Sequence, residues 1–385
     1  MHIDGLVGAL RAQGVGLVML APSVAAAPDW RPGALSAWLS RLRRKLPRVL
    51  HESLELLYNL PEGFRLLRAI RRHRPDAIYE RSNLFMLSGA LLAPRLGVKR
   101  ITEVNAPYFQ ERSRHGGIRL KRLARWTEEF SWRSADAVIP VTQVLAEIVQ
   151  ASGVPPGRVH VMSNGIDMDL FSGSPRGQDL REQLGWDDRV VLGFTGFVRE
   201  WNGLEPVMDL LAAPGSEALV LLVVGDGPAR EPLEARAERL GVGARVHFTG
   251  LVPRIEIPRY VAAFDIALQP AANPYASPLK LFEYMALRRA IVAPDQPNIR
   301  EVLKHEGNAL LFRSDEPGGL ADAVLRLARD LALRDRLADC ALATVRERDM
   351  TWANNGRRVI QLVQHLVGHG VNPALGDRAP DISTH

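Results

Sequence analysis

A single cysteine, Cys340, among 385 residues means that no disulfide can form within the chain, and it fits a reducing compartment. Aromatic residues make up only 6% of the sequence, and neither a stacking platform nor a reading helix for nucleic acid is evident. No apolar run approaches the ~20 residues needed to span a bilayer, the best being Ala218–Val224. The ten histidines show no pairing with cysteine or carboxylate that reads as a metal site. No GxSxG element marks a serine hydrolase, and no internal repeat is present. What is left is a globular chain, 46% hydrophobic and 24% charged, long enough for two ordinary domains with sizeable cores.

Charge is divided unevenly. Residues 1–178 carry 25 Lys and Arg against 15 Asp and Glu, the remainder 24 against 28. Basic clusters at Arg41–Arg48, Arg68–Pro75 and Arg119–Arg125 each lie in a helix-like segment with interleaved leucines. Two readings stand: solvated arginine-rich helix faces, or attraction to an anionic membrane surface or a phosphate-bearing lipid acceptor. Nucleic acid is not an expected partner.

Residues Arg11–Pro28 superficially resemble a secretory signal. Their apolar core, Val15–Ala21, is short and contains Gly16, and Asp4 precedes the only basic residue, Arg11. The reading is instead a helix over Ile3–Gln13, ended by Gly14, then a strand over Gly16–Leu20.

Strand-like runs alternate with helical ones throughout, which predicts an α/β architecture with parallel sheets. In the first half the strands read Gly16–Leu20, Ala77–Glu80, Arg100–Glu103 and Ala137–Val141, with helices such as Pro61–His73 and Leu84–Leu96 between them. After an Asn-Gly turn at Asn164–Gly165, the polar stretch Ser172–Asp179 reads as the inter-domain linker. The pattern restarts with strands at Arg189–Gly196, Ala218–Pro228, Arg245–Pro253, Ile266–Pro270 and Ala290–Pro294. A long helix, Gly319–Arg346, and a last one, Trp352–Leu366, close the fold. The predicted division is a first domain over 1–175, a second over 176–350, a returning helix over 351–370 and a tail over 371–385.

Continuous apolar strands imply helices on both faces, and ligands of such sheets sit at the strands' carboxyl ends. In "SPLKLFEYMA", Ser277 is the expected N-cap and Pro278 the first helical residue, leaving free N–H groups at Leu279 and Lys280. A helix terminus with an added lysine suits a phosphate. Glu283 lies one turn on, where a carboxylate would be unfavourable unless it accepts hydroxyl hydrogen bonds, as from a ribose. The plainer alternative is a Lys–Glu surface pair. Other strand ends favour the ligand: Gly196 followed by Arg199 and Asn202, then Gly225 and Asp226 in "VGDGP", and Gly250 and Val252 in "FTGLVP". Arginine can grip a diphosphate bidentately, and backbone beside Gly250 can hold a base edge. "VGDGP" lacks the third glycine of a dinucleotide loop, since Arg230 stands there, and supports no dehydrogenase. In the first half, Glu80, Arg81, Glu103 and Asn105 follow strands and are expected on one edge, and Asn83 reads as a helix cap. His2 and Asp4 are either site residues or an N-cap pair.

The segments "SNGID", "GFVREWNG", "VVGDGP", "VHFTGLVP" and "SPLKLFEYMA...IVAPDQPNIREVL" resemble retaining family-4 glycosyltransferases of the GT-B fold. The resemblance covers essentially the whole chain and is most specific from Ser163 to Phe312. "HIDGLVGALRAQG", "YERSNLF" and "EVNAP" resemble the bacterial branch associated with exosortase and exopolysaccharide loci. The resemblance implies two Rossmann-like domains facing a cleft, with a UDP- or GDP-sugar bound mainly by the second. It implies a diphosphate on Arg199 and Lys280, the ribose on Glu283, and backbone of Ala276–Leu279 against the donor sugar. The leading expectation is a cytoplasmic hexosyltransferase, peripheral at the inner face of the membrane where the basic clusters are read as meeting anionic lipid. Such an enzyme acts on a glycan or lipid-linked acceptor by front-face attack, with no metal or other cofactor needed.

The chain departs from that pattern in three places. Where many relatives carry a first glutamate, eight residues before Glu283, stands Tyr275. Asn202 replaces a Lys or His. Relatives begin with a strand and Gly-rich loop before the helix that here starts at His2, and a recorded start later than the protein's own is the expected cause. Tyr275 and the short start motivate an alternative: a non-catalytic sugar-nucleotide-binding or scaffold protein of a polysaccharide complex. A GT-B epimerase or phosphorylase is a weaker third reading.

Overall fold

The computed structural model of the chain describes residues 2–20, 48–114, 117–171 and 177–368. They fall into two compact units, one built on residues 7–162 with those from 356 on, the other on 163–355 with residues 1–6.

The first unit holds a parallel sheet of β1 (Ala77–Arg81), β2 (Lys99–Val104) and β3 (Ala137–Pro140), in that order. β2 is central and almost entirely buried. The expected strand Gly16–Leu20 is not one. Its backbone is irregular and Val18, Met19 and Leu20 are exposed, because β-propensity is realised only where a neighbouring strand accepts the ladder. The helix before it, His2–Ala12, forms as read. Only Ser88–Leu96 of the expected helix Leu84–Leu96 is helical. Asn59 sets its start by accepting hydrogen bonds from the Leu87 and Ser88 N–H groups at 2.6 and 3.1 Å.

Beneath this sheet lies a buried arginine. Arg100 is 0% exposed and donates to the Glu80 carboxylate, to Thr102 Oγ1 (2.8 Å), to the Ser131 carbonyl and to Ser134 Oγ (2.9 Å). A buried guanidinium needs such acceptors; these satisfy both terminal nitrogens of Arg100 and leave its Nε without a partner.

The second unit carries a six-stranded parallel sheet in the order β6-β5-β4-β7-β8-β9. The strands are β4 (Val190–Thr195), β5 (Leu219–Val224), β6 (Val246–Phe248), β7 (Ile266–Leu268), β8 (Ala290–Pro294) and β9 (Leu310–Phe312). Aliphatic clusters cover both faces, as the unbroken apolar runs require. The order reverses between β4 and β7, so the carboxyl ends of these two strands mark the place where ligands of such sheets bind. β9 is a strand that sequence reading did not find. The expected single helix Gly319–Arg346 is two, Gly319–Arg329 and Leu331–Glu347; Asp330 breaks the run and caps the second, accepting from Leu333 N–H at 2.9 Å. The expected linker is in part a helix, Gln178–Leu184, and its residues 172–176 lie outside the described residues. The expected tail 371–385 also lies outside them.

Replacing Arg100 with alanine strands the Glu80 carboxylate and several acceptors. It should lower unfolding stability by about 3 kcal/mol, read as a fall in denaturant midpoint. An unchanged midpoint would show that the network is energetically idle.

Candidate functional site

In the second unit three strand-end loops lock together. Gly196 and Gly225 adopt φ of 131° and 142°, a region closed to residues with a side chain. A Cβ at position 225 would overlap the Gly196 carbonyl, and one at 227 the Val198 carbonyl. Gly225 in turn bridges to Gly250. The loops after β4, β5 and β6 therefore meet backbone to backbone, and Gly196, Gly225 and Gly250 come together. Asp226 is engaged locally: its carboxylate accepts from Gly227 N–H at 2.8 Å and lies 3.8 Å from Arg230. Val252 packs on the core beside the third loop.

The helix Leu279–Ala286 starts one residue later than expected. Pro278, not Ser277, holds the cap position, and no side chain caps the terminus. Ser277 Oγ accepts instead from Asn164 N–H at 3.3 Å, and the Ser277 carbonyl accepts from Asn164 Nδ2 at 2.6 Å. Asn298 Nδ2 donates to the carbonyls of Asn273 (3.0 Å) and Ala276 (2.7 Å). Two asparagines thus pin the segment before the helix, including Ala276 and the buried Tyr275. Behind them, Gly165 packs on the Thr351–Trp352 peptide, Ile166 bridges to Thr351, and Asn355 Nδ2 donates to the Ser163 carbonyl at 2.9 Å. Sequence reading passed over both asparagines. Asn164 was visible only as half of a turn signal, and Asn298 as one residue of "PNIREVL".

Three polar side chains of this helix, Tyr284, Lys280 and Glu283, shape the site. Tyr284 OH accepts from Thr195 N–H at 2.9 Å, anchoring the helix to the end of β4, and burial pushes its phenol pKa up. Lys280 is half-buried, its amine 3.5 Å from the centre of the Phe194 ring. A Cβ on Gly196 would lie 3.4 Å from that amine, so Lys280 reaches over the first strand-end loop. Burial pulls the Lys280 pKa down to about 7, with Glu283 pulling the other way. Burial pushes the Glu283 carboxyl up to about 7, opposed by Arg254 and Lys280. Among the described residues neither Lys280 nor Glu283 forms an ion pair or hydrogen bond through its charged atoms. Arg254, which sequence reading missed, enters from the loop after β6. The arrangement is a lysine over a strand-end loop with an adjacent carboxylate, burial working against the charged form of both.

Arg199 stands on the same loop as Gly196 but is exposed. Its guanidinium lies between the rings of Phe197 and Trp201, 4.7 and 4.6 Å from their centres. Asn202 closes that turn by accepting from Arg199 N–H at 2.7 Å.

The first unit gathers Arg81, Glu103 and Asn105 at the ends of β1 and β2. Glu103, 4% exposed, accepts from Tyr79 OH at 2.6 Å and from the Asn105 amide, with Arg81 Nε 3.7 Å away. Glu80 does not join them. Successive strand residues point to opposite faces, so Glu80 turns to Arg100 while Tyr79 and Arg81 share a face. The Asn83 side chain accepts from the Leu84 N–H at 2.8 Å, and its carbonyl from the Met86 N–H at 3.4 Å. Tyr79 was missed, although the same alternation assigns it to the Arg81 face. Glu128 was missed too; burial raises its pKa to about 7 against a hydrogen bond from Phe109 N–H at 3.1 Å. The side chain of His2 lies outside the described residues, its backbone opening the first helix.

An amine with its pKa held near 7 destabilises the fold below that pH, and the cost fades as pH rises toward the ordinary lysine value. Lys280→Met should therefore raise the melting temperature by a few degrees near pH 6, roughly the effect of 1 kcal/mol, and the gap should close by about pH 10. Calorimetry across pH measures it, and a variant less stable than the parent at pH 6 would contradict the desolvation account.

Two family models match the chain: "Glycosyltransferase Family 4" over residues 1–170 and "Glycosyl transferases group 1" over 189–330. Among curated proteins, a GDP-mannose-dependent alpha-mannosyltransferase of Mycobacterium tuberculosis is 28% identical over 331 residues, 83% of this chain and 82% of that one. An alpha-D-kanosaminyltransferase of Streptomyces kanamyceticus is 27% identical over 264 residues, 65% of this chain and 67% of that one. Among solved structures, Anabaena HepE in complex with UDP matches with a TM-score of 0.67 at 20% identity, covering 79% of this chain and 82% of that one. WaaG, a glycosyltransferase involved in lipopolysaccharide biosynthesis, matches with a TM-score of 0.63 at 16% identity, covering 94% of each chain.

Proposed function

Because the two family models cover residues 1–170 and 189–330, the chain belongs to the family-4 glycosyltransferases of the GT-B fold, and we propose that it is a retaining hexosyltransferase using a UDP- or GDP-sugar. The acceptor in this reading is a glycan or lipid-linked saccharide of exopolysaccharide or cell-surface glycan synthesis, as in the exosortase-associated branch. The enzyme would work in the cytoplasm, peripheral at the membrane. Support for the choice of donor comes from relatives: HepE structures hold UDP and UDP-glucose, and the mycobacterial relative is GDP-mannose-dependent.

The observation that carries the proposal is the unpaired Lys280 amine over Phe194 and Gly196, one turn from Glu283. A diphosphate beside Lys280 would restore the charge that burial removes, since an adjacent dianion favours the ammonium form. Glu283, ionised, would accept the two ribose hydroxyls, and charge-assisted hydrogen bonds of this kind contribute about 1.5–3 kcal/mol each. As the sugar leaves, negative charge grows on the diphosphate, and Lys280, the uncapped helix terminus and Arg199 are the groups assigned to stabilise it. No metal is given a part in this scheme. Arg199 would exchange its ring partners for phosphate oxygens. Backbone of Tyr275–Leu279 and of Gly250–Val252 would meet the sugar and base. Arg81, Glu103 and Asn105 are the proposed acceptor-side group. The second reading, a non-catalytic sugar-nucleotide-binding or scaffold protein, is favoured by one feature: Tyr275 is a buried aromatic at the position where many relatives have a carboxylate.

Lys280→Ala should weaken UDP or GDP binding about a hundredfold, and Glu283→Gln should weaken the nucleotide but not inorganic pyrophosphate, by calorimetry. With the free amine titrating near pH 7, affinity should fall by up to about tenfold per pH unit above it, with proton uptake on binding in buffers of different ionisation heat. Unchanged affinity of Lys280→Ala for both nucleotides refutes the site. Turnover of a nucleotide-sugar by the parent chain, with the product's anomeric configuration read by NMR, separates enzyme from binding protein and tests retention.

A further inference from the structure

The first unit presents an apolar face that continues directly into a basic one. The helices Arg48–Leu57 and Asn59–His73 follow each other with only Tyr58 between them. Leu57, Leu60 and Phe64 are exposed, the last two at 71% and 67%. Leu60 and Phe64 are one turn apart on one side of the second helix, and the same side continues through Arg68 to Arg71. Phe64, Leu67, Arg68, Arg71 and Arg72 line a groove of about 370 Å³. Among the described residues Arg68, Arg71 and Arg72 form no ion pair, unlike Arg65, which meets Glu62 at 2.8 Å. Large apolar side chains at such exposure cost solubility, and three unpartnered guanidinium groups on the same face call for an anion.

A second element repeats this chemistry and is tied to the first. Glu52 of the first helix accepts from the N–H groups of Arg119 and Leu120, at 2.7 and 2.6 Å, at the start of the helix Lys121–Arg133. That helix exposes Trp126 beside Lys121, Arg122 and Arg125, the last of which meets Glu129 at 2.7 Å. Of these, Trp126 is the residue type that settles at a bilayer's headgroup level.

We propose that this face docks on a bilayer containing anionic phospholipid, with headgroup phosphates on Arg68, Arg71 and Arg72 and with Leu60 and Phe64 entering the acyl boundary. Charge complementarity selects this occupant. A second copy of the chain would add like charge to the face, whereas a bilayer with anionic phospholipid offers both phosphates and hydrocarbon to its basic and apolar side chains. The inference sharpens the membrane-peripheral part of the proposed function, and it stands independently of the donor chemistry.

The test is sedimentation of the full chain with phosphatidylcholine vesicles made with and without phosphatidylglycerol. Nucleotide affinity and melting temperature are measured on the same samples. The parent should bind only the anionic vesicles and release at high salt. Arg68→Glu with Arg71→Glu and Arg72→Glu should lower partitioning about a hundredfold. Leu60→Ser with Phe64→Ser should lower it about tenfold and leave a salt-sensitive remainder. Both variants should keep the parent's melting temperature and UDP or GDP affinity. Equal binding to neutral vesicles, no binding to either, or binding unaffected by both variants overturns the proposal. So does a dimer in light scattering that the Leu60/Phe64 variant dissolves, because a copy of the chain would then cover the face. Loss of nucleotide binding by the parent itself would count against the glycosyltransferase site and leave the vesicle result readable.

Discussion

Everything in the second unit's site depends on how closely two backbones approach. The Gly196 carbonyl occupies the space a side chain at position 225 would need, so the loops after β4 and β5 meet with nothing between them. That contact fixes the end of β4, and the end of β4 holds the other parts. Phe194 supplies the ring beneath the Lys280 amine, and the Thr195 N–H holds Tyr284 and with it the helix. A side chain at position 225 would part the loops, and one at position 196 would require a backbone conformation closed to it beneath the Lys280 amine.

The electrostatic state follows from this packing. A lysine over an aromatic ring, without an anion, gives up part of its charge, and the neighbouring carboxyl keeps part of its proton. The free site therefore stores a desolvation cost, which the proposed diphosphate would relieve. In that reading stability and affinity would pull in opposite directions at this residue, the usual relation where a buried polar group is kept for binding. Arg199 shows a milder version: stacked between two rings, it is held extended before any ligand arrives.

Much of this was legible in the sequence because it is written locally. Unbroken apolar runs ending in glycine announced the parallel sheet of the second unit, and the Ser-Pro signal announced a helix start that puts Lys280 and Glu283 one turn apart at its edge. The parts that were not legible depend on distant partners. Gly16–Leu20 has a strand's composition without a strand's neighbour, whereas the three residues Leu310–Phe312 become β9 only because β8 lies beside them. Ser277 has the chemistry of a cap, but the Asn164 side chain and backbone, far away in sequence, claim it. Glu80 and Arg81 stand side by side at the end of β1, and only the partner Arg100 decides that Glu80 turns away from the Arg81 face. Asp330 was the opposite case, a local cap signal overlooked inside a helical pattern.

The pinning of the site helix has a consequence for how the chain is made. Asn164 meets Ser277 across 113 residues, and Ser163 meets Asn355 across 192. These closures are among the most non-local in the fold, and they sit on the same three residues, Ser163–Gly165. During synthesis the sheet can assemble as its strands emerge, but the Ser163–Gly165 turn lacks its backing until the Thr351–Asn355 segment has left the ribosome. A nascent chain that has not yet reached Thr351–Asn355 would thus carry a finished sheet while the turn holding Ser277 still lacks its backing.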